Sequence, residues 1–90
     1  MQLTWDDIKA AKNIEKHGVS FEEAATVFFN GPVLRNPDDD LNRMKTVGFS
    51  SQARLLLVVT FEEEADVVRI ISARKAEKYE KEEFEKRIRF

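Results

Sequence analysis

Three strand-like segments in close succession constrain the fold of this chain more than any other feature. They cover residues 43–49, 54–61 and 67–73, and short polar loops separate them. Loops this short join neighbouring strands in antiparallel order. Residues 55–59 are apolar without alternation, which predicts a central strand covered on both faces. The sequence therefore predicts an antiparallel meander.

Helical patterns precede this meander. Apolar residues recur at helical spacing until Gly18, and the residues concerned are Trp5, Ile8, Ala11 and Ile14. Thr4 and Asp7 have the spacing of a capping box, so a first helix is predicted over about residues 6–17. A second capping box, at Ser20 and Glu23, predicts a second helix that ends at residues 30–32.

Residues 33–35 are a candidate short strand, and residues 36–40 are predicted to be a loop. The adjacent aspartates at 38–40 lack the alternating ligands, central glycine and distal glutamate of a calcium loop, so we expect a solvated acidic segment. Residues 77–89 contain acid–base pairs at i, i+4 and predict a last helix; these pairs are Glu77–Lys81, Glu82–Lys86, Glu83–Arg87 and Glu85–Arg89.

Composition narrows the class of protein. The chain has 90 residues, which suit one domain over residues 1–90. It has no cysteine and one histidine, so thiolate metal sites are excluded, an imidazole zinc site is disfavoured, and we expect no metal or cofactor. The longest apolar run is far shorter than the roughly 20 residues of a membrane span, so a cytoplasmic protein without a membrane association is expected.

The segment from Arg69 to Ala76 is the strongest candidate for chemistry. It places three cations and a hydroxyl where the last strand is predicted to give way to the last helix. Backbone N–H groups at a helix start favour anions, so these side chains are candidates for binding a phosphate. The structural alternative is that Arg69 lies along a sheet edge while Arg74 and Lys75 are solvated.

Other cations lie outside obvious helix pairs. Lys16 and His17 stand beside Gly18, and Arg43 and Lys45 enter the first long strand. For His17 the structural alternative is a cation that offsets the dipole at a helix end. Trp5 and the phenylalanines are expected in the core rather than as platforms on which bases stack.

Taken together, these motifs resemble the BrnT family of type II toxins. The resemblance is strongest in the blocks KHGVSFEEA at residues 16–24 and RIISARKA at residues 69–76, with Arg43 ahead of Gly48 between them. It implies a RelE-like α+β fold with two N-terminal helices, an antiparallel sheet of three to five strands and a C-terminal helix. It also implies a ribonuclease that arrests translation and a BrnA-type antitoxin with a ribbon-helix-helix DNA-binding part, joined to it in a hetero-oligomer.

The resemblance also implies a set of site residues. The polar positions of the motifs in this chain are Lys16, His17, Arg43, Arg69, Ser72, Arg74, Lys75 and Glu80. Cleavage of RNA without a metal requires the ribose 2′-OH to lose a proton and attack phosphorus, and guanidinium groups stabilise the charge that develops.

In this scheme Arg43 and Arg74 clamp the phosphate and converge on one anion site. Neither has an acid four residues further on, and both are expected to be exposed, so replacing them should barely change stability. Lys16 or His17 moves the proton, because an imidazole ordinarily titrates near neutral pH. Glu80 orients an arginine or acts as a base, whereas Arg69, Ser72 and Lys75 bind substrate.

A second function class stays open at this stage. The chain would then be a non-catalytic interaction protein of the same fold that partners a DNA-binding antitoxin or repressor. RNA cleavage that is lost in an Arg74→Ala variant separates the enzyme from this alternative.

Overall fold

A computed structural model, which describes residues 1–40 and 42–88, shows one five-stranded sheet and three α-helices in this part of the chain. The elements, in chain order, are β1 (Gln2–Thr4), α1 (Asp7–His17), α2 (Phe21–Thr26), a 3₁₀ turn (Val27–Phe29), β2 (Val33–Pro37), β3 (Arg43–Phe49), β4 (Leu55–Glu64), β5 (Val67–Lys75) and α3 (Lys78–Arg87). The predicted α+β fold is confirmed.

The strands lie in the order β1-β5-β4-β3-β2. The predicted meander is confirmed, since β2 to β5 pair in antiparallel order with β4 near the centre. Strand β1 pairs parallel to β5 and makes the sheet mixed. It was not predicted, because its three residues are too few to show a periodic pattern. Strand β2 also extends to Pro37, into the segment predicted to be a loop.

The start of α1 differs from the prediction. The N-cap is Asp6, whose carboxylate accepts a hydrogen bond from the Lys9 N–H at 3.0 Å, whereas Thr4 belongs to β1. The end of α1 is as predicted: Gly18 has a φ of 70° and donates its N–H to the Ile14 carbonyl. Ser20 caps α2, as predicted, by accepting from the Glu23 N–H at 3.0 Å.

Helix α2 and the residues around it cover one face of the sheet, and α1 lies along the β5 edge. Residues of the α1–α2 segment pack there against the inward side chains of β4 and β5 in one buried cluster, which contains Val19, Phe21, Ala24, Val27, Leu56, Val58, Ile70 and Ala73. Trp5 packs edge-on against Phe21 with ring centroids 6.2 Å apart. These aromatic residues are core residues, as expected.

Helix α3 covers part of the opposite face, which we call the α3 face. Phe84 packs there against Val47 and Leu57, and its ring contacts Phe49 edge-on at 5.7 Å. Cross-strand register places further rows on this face, and the row of Arg43, Phe61 and Arg69 lies furthest from Leu57. The core expectation fails for Phe29, which is 71% exposed, and for Phe61, which belongs to neither core cluster of the described residues.

Helix α1 is held by a polar residue rather than by its apolar stripe. Ile8 and Ile14 are 67% and 50% exposed, whereas Asn13 is buried. The Asn13 amide donates to the Ala73 carbonyl at 2.8 Å and accepts from the Ala73 N–H at 3.2 Å. Strand β1 pairs with β5 only as far as Arg69. Further along β5, at Ala73, the Asn13 side chain makes the backbone hydrogen bonds that a neighbouring strand would otherwise make.

A buried ion pair ties the corner between α1 and α2 to the hairpin of β3 and β4. Glu23 is bound by the guanidinium of Arg54 and accepts from the Ser50 hydroxyl at 2.7 Å. Arg54 also donates to the Gly18 carbonyl at 3.2 Å. The hydrogen bond from Arg54 holds the pKa of Glu23 below its ordinary value in spite of burial. The predicted second capping box is therefore half formed, since the Glu23 side chain is engaged here.

Gly48 explains one position of the sequence motif. A Cβ on this residue would lie 2.8 Å from Val33 Cγ1 and 3.0 Å from Val27 Cγ1. The absence of a side chain therefore lets the 3₁₀ turn and β2 pack closely on β3.

Candidate nucleic-acid interface

A cationic groove runs between α1 and the open part of the α3 face. Two adjoining concavities form it, and they share Lys9 and Ile71. We call it the α1–sheet groove; its lining consists of Lys9, Lys12, Asn13, Lys16, His17, Arg43, Phe61, Glu63, Arg69, Ile71 and Ser72. Five lysines and arginines in this lining face one carboxylate, Glu63, although the chain has a net charge of −2.

One wall of the groove is the surface of α1. Lys9, Lys12 and Lys16 recur at i, i+3 and i+7, which places them on one side of the helix. His17 lies in the last turn beside them. The bonds between Asn13 and Ala73 fix this wall against β5 and so set the distance from the lysines to the sheet.

The floor of the groove is formed by side chains of β3, β4 and β5. Arg43 is opposite Phe61 in the β3–β4 register, and Phe61 is opposite Arg69 in the β4–β5 register. Directly opposed side chains on one face have Cβ atoms about 4.5–5.5 Å apart, so an arginine is the cross-strand neighbour of Phe61 on each side. Ser72 lies in the next row, opposite Val59.

Both arginines of the floor are exposed and ion-paired. Arg43 Nη1 is 3.1 Å from an Asp40 carboxylate oxygen, and Arg69 Nε is 3.3 Å from a Glu63 oxygen. Their side chains keep 43% and 45% of their surface exposed. Exposed pairs of this kind contribute only about 0–1 kcal/mol, so a phosphate can replace the carboxylate at little cost.

Arg74 and Glu80 lie apart from the groove and bind each other. The two Nη atoms of Arg74 donate to the two carboxylate oxygens of Glu80 at 2.8 and 2.9 Å. Arg74 also donates to the Lys75 carbonyl and lies 3.4 Å from Glu77. The Arg74 guanidinium therefore makes three hydrogen bonds and a further ion pair within the protein. The i, i+4 spacing does not reveal these acids, because Glu77 and Glu80 lie three and six residues after Arg74.

The Glu80 carboxylate is saturated with donors. Besides Arg74 it accepts from the Glu77 N–H at 2.8 Å and from the Tyr79 hydroxyl at 3.3 Å. Burial raises the pKa of Glu80, but the hydrogen bonds from Arg74 and Glu77 outweigh it and hold the pKa below its ordinary value. A carboxylate in this environment is suited to orienting an arginine. It is poorly suited to the other predicted role, that of a base, because it takes up a proton less readily than an ordinary carboxylate.

The expected convergence of Arg43 and Arg74 is not found. Both lie on the α3 face, but Arg43 is opposite Phe61 and Arg74 is opposite Leu57. These positions are four residues, or about 13 Å, apart along the strands, and each guanidinium is bound by a different acid, Asp40 for Arg43 and Glu80 for Arg74. The expectation that Arg74 is a solvated cation is also wrong, because its side chain is only 28% exposed.

The anticipated helix-start site is replaced by a strand. Strand β5 continues through Lys75, and α3 begins at Lys78 after the N-cap Glu77. Lys75 therefore points away from Arg74, toward the side of the sheet where it lowers the pKa of Glu23. Of the acid–base pairs predicted for this helix, Glu83–Arg87 closes at 3.6 Å, and Glu85–Arg89 lies outside the described residues.

The groove thus brings together five of the predicted residues: Lys16, His17, Arg43, Arg69 and Ser72. It leaves Arg74, Glu80 and Lys75 elsewhere. Lys9 and Lys12 also line the groove, although they are not among the predicted site residues. The helical spacing of Lys9, Lys12 and Lys16 was the available signal, since three lysines on one side of a helix form a cationic stripe.

Within residues 1–40 and 42–88, no group of three or more His, Cys, Asp or Glu side chains is placed to hold a metal ion. None of the helices in the described segments is long and apolar enough to span a membrane.

Fold and groove together define a small α+β protein with a cationic groove beside its sheet. The family model described as the ribonuclease toxin BrnT of type II toxin–antitoxin systems matches residues 5–80, and the chain belongs to this family. Membership implies an antitoxin partner and an RNA target. A comparison with curated proteins gives no match.

The fold is similar to that of a solved relative, the Brucella abortus ribonuclease toxin BrnT, whose crystal structure was determined at 1.1 Å resolution. The TM-score is 0.72 with 22% sequence identity, over 87% of this chain and 99% of the Brucella chain. At this identity the similarity establishes a shared fold.

Proposed function

We propose that this chain is the toxin of a type II toxin–antitoxin system and that it cleaves RNA internally without a metal ion. Cleavage of messenger RNA would arrest translation in the cytoplasm. The observation that carries the proposal is the α1–sheet groove, where five lysines and arginines are gathered on a protein of net negative charge. Such a local excess of cations is the electrostatic footprint of a protein that binds a polyanion.

The proposed chemistry is an internal attack by the ribose. The 2′ oxygen bonds to the adjacent phosphorus, the bond from phosphorus to the 5′ oxygen breaks, and a 2′,3′-cyclic phosphate and a 5′-hydroxyl end result. One proton leaves the 2′-OH and another reaches the 5′ oxygen. We assign these transfers to Lys16 and His17, which lie together at one end of the groove.

Arg69 and Arg43 are proposed to stabilise the phosphate. Guanidinium donors bind the non-bridging oxygens, on which negative charge builds up in the transition state. Ser72, on the floor near His17, is proposed to donate to the same phosphate or to a neighbouring one. Arg74 and Glu80 are positioning residues in this proposal, because their mutual pair joins the end of β5 to the first turn of α3.

We propose that the antitoxin is a BrnA-like ribbon-helix-helix protein in a hetero-oligomer with this chain. Exposed apolar side chains beside the groove support an interface at α1, since Ile8 and Ile14 project from that helix. Co-expression with the neighbouring gene should yield a co-purifying complex. An Ile14→Glu variant should weaken that complex and leave RNA cleavage unchanged.

The enzymatic proposal is tested with purified protein and a defined single-stranded RNA, with and without EDTA. We expect cleavage in both conditions and cyclic phosphate ends. Loss of a proton-transfer group should slow cleavage roughly 10²–10⁴-fold, so His17→Gln and Lys16→Gln are the informative variants. Lys81→Gln on the exposed side of α3 is the matched control and should cleave like the parent protein.

Two results would contradict the proposal. Cleavage that disappears with EDTA would show that a metal ion is required. Intact RNA at high protein concentration, with a stable antitoxin complex, would instead identify the chain as the non-catalytic partner of a DNA-binding subunit.

A further inference from the structure

We propose that Phe61 is a stacking platform for one unpaired nucleobase and that Arg43 and Arg69 hold the phosphates on either side of that base. This inference rests on the proposed RNA target. It adds a residue that contacts a nucleobase, whereas the residues proposed so far contact the sugar–phosphate backbone of the RNA. It concerns the end of the α1–sheet groove lined by Lys9, Arg43, Phe61, Arg69 and neighbouring side chains.

Among the phenylalanine, tyrosine and tryptophan residues of the described segments, Phe61 is the one that lines the α1–sheet groove. Phe21 and Phe84 are buried in the two core clusters, and two aromatic pairs, Trp5–Phe21 and Phe49–Phe84, lie within the described residues. Phe61 belongs to neither cluster and neither pair. It is half-buried in the floor of a concavity of about 240 Å³, on the part of the α3 face that α3 does not cover.

The neighbours of Phe61 match the chemistry of a nucleotide. On each side the adjacent strand presents an arginine directly opposite the ring. Each guanidinium is ion-paired with a carboxylate, Arg43 with Asp40 and Arg69 with Glu63, and both arginine side chains stay exposed, so a phosphate can reach them. An aromatic face between two cations suits a base whose own phosphates lie to either side.

Selection of single-stranded RNA follows from this arrangement. Bases in a duplex are stacked on each other and cannot lie on a side chain, whereas an unpaired base can. Every base has an aromatic face, so the platform favours unpaired over paired RNA more than one base over another. An internal attack by the 2′-OH also requires a flexible, unpaired backbone, so the platform would select substrates that can react.

The test uses a single-stranded 2′-O-methyl RNA, which binds but cannot be cleaved because its attacking oxygen is blocked. Phe61→Leu should weaken its binding roughly 5- to 150-fold, the loss expected when one base–aromatic stack is removed. Phe61→Trp should restore most of the affinity. Phe29→Leu, at an exposed phenylalanine outside the groove, is the matched control and should bind like the parent protein.

A polyanion without bases separates stacking from a general loss of the groove. Inorganic polyphosphate should bind the Phe61→Leu variant and the parent protein equally well. If Phe61→Leu and the parent protein bind the RNA equally well, Phe61 is not a stacking platform. The same conclusion follows if Phe61→Leu loses as much affinity for polyphosphate as for RNA. Neither result contradicts the proposed ribonuclease. Stacking-dependent RNA binding in a protein that does not cleave RNA would support the platform and contradict the ribonuclease.

Discussion

Replacing Arg74 by alanine should destabilise the protein, although the sequence alone indicated a solvated cation. The substitution removes both hydrogen bonds to Glu80 and the contact with Glu77. Glu80 is only 9% exposed, so its charge would lose its main partner in a place that water reaches poorly. The free energy of unfolding should therefore fall.

The magnitude follows from the burial of the two partners. Breaking a fully buried ion pair by removing one member costs about 3–5 kcal/mol, because the other charge is left unpaired. Arg74 keeps 28% of its side-chain surface, and two donors remain on Glu80, from Glu77 and Tyr79. We therefore expect a smaller loss, about 2–3 kcal/mol. For a domain of this size such a loss lowers Tm by roughly 10–20 °C.

The assay is thermal and urea unfolding followed by circular dichroism, applied as a double-mutant cycle. Arg74→Ala, Glu80→Gln and the double variant are compared with the parent protein, and Arg43→Ala serves as a control at an exposed pair. We expect the double variant to be less destabilised than the sum of the single variants by at least about 1 kcal/mol. Additive effects, or an Arg74→Ala variant as stable as Arg43→Ala, would refute the reasoning.

Three further predictions concern the core and the response to acid. Gly48→Ala should lower the free energy of unfolding by about 1–3 kcal/mol in urea titrations, because the new methyl group collides with the valines packed against it; an unchanged midpoint would contradict the close approach. Thr46→Val should raise Tm, because the Thr46 hydroxyl is buried without a hydrogen-bond partner among the described residues and leaving it so costs about 1–3 kcal/mol; a lower Tm would show that the hydroxyl is bonded. The pKa of Glu80 is held below its ordinary 4.5, so the Arg74–Glu80 pair stabilises the protein above pH 4.5 and loses its effect as the pH falls through the lowered pKa. The difference in unfolding free energy between the parent protein and Arg74→Ala should therefore shrink in acid. A constant difference down to pH 2 would contradict this.

The meander and the helix ends could be predicted because their signals are local. Strand β3 has the predicted bounds, and Gly18 ends α1 as its backbone freedom suggests. Strand β1 could not be predicted, because its pairing partner lies more than 60 residues away and only tertiary contact makes it a strand.

The candidate site was only partly predictable for the same reason. Lys16, His17 and Ser72 come together because Asn13 docks α1 against β5, a contact between residues 60 positions apart. The burial of Arg74 could not be predicted, because its partner Glu80 approaches only after the chain reverses into α3. Spacing along the sequence reveals neighbours within one element, whereas a contact across a turn of irregular length depends on the fold.

The central claim, that the α1–sheet groove is the RNA-binding surface, is tested most directly by the salt dependence of binding. Each phosphate contact on single-stranded nucleic acid contributes about −0.7 to the slope of log K against log salt. A triple variant, Lys9→Gln with Lys12→Gln and Lys16→Gln, should therefore reduce the magnitude of the slope by about 2, measured with the 2′-O-methyl RNA. The matched triple variant at the exposed Lys78, Lys81 and Lys86 of α3 should keep the parent slope. An unchanged slope in the groove variant, or an equal reduction in both, would place the RNA elsewhere on the protein and contradict the account.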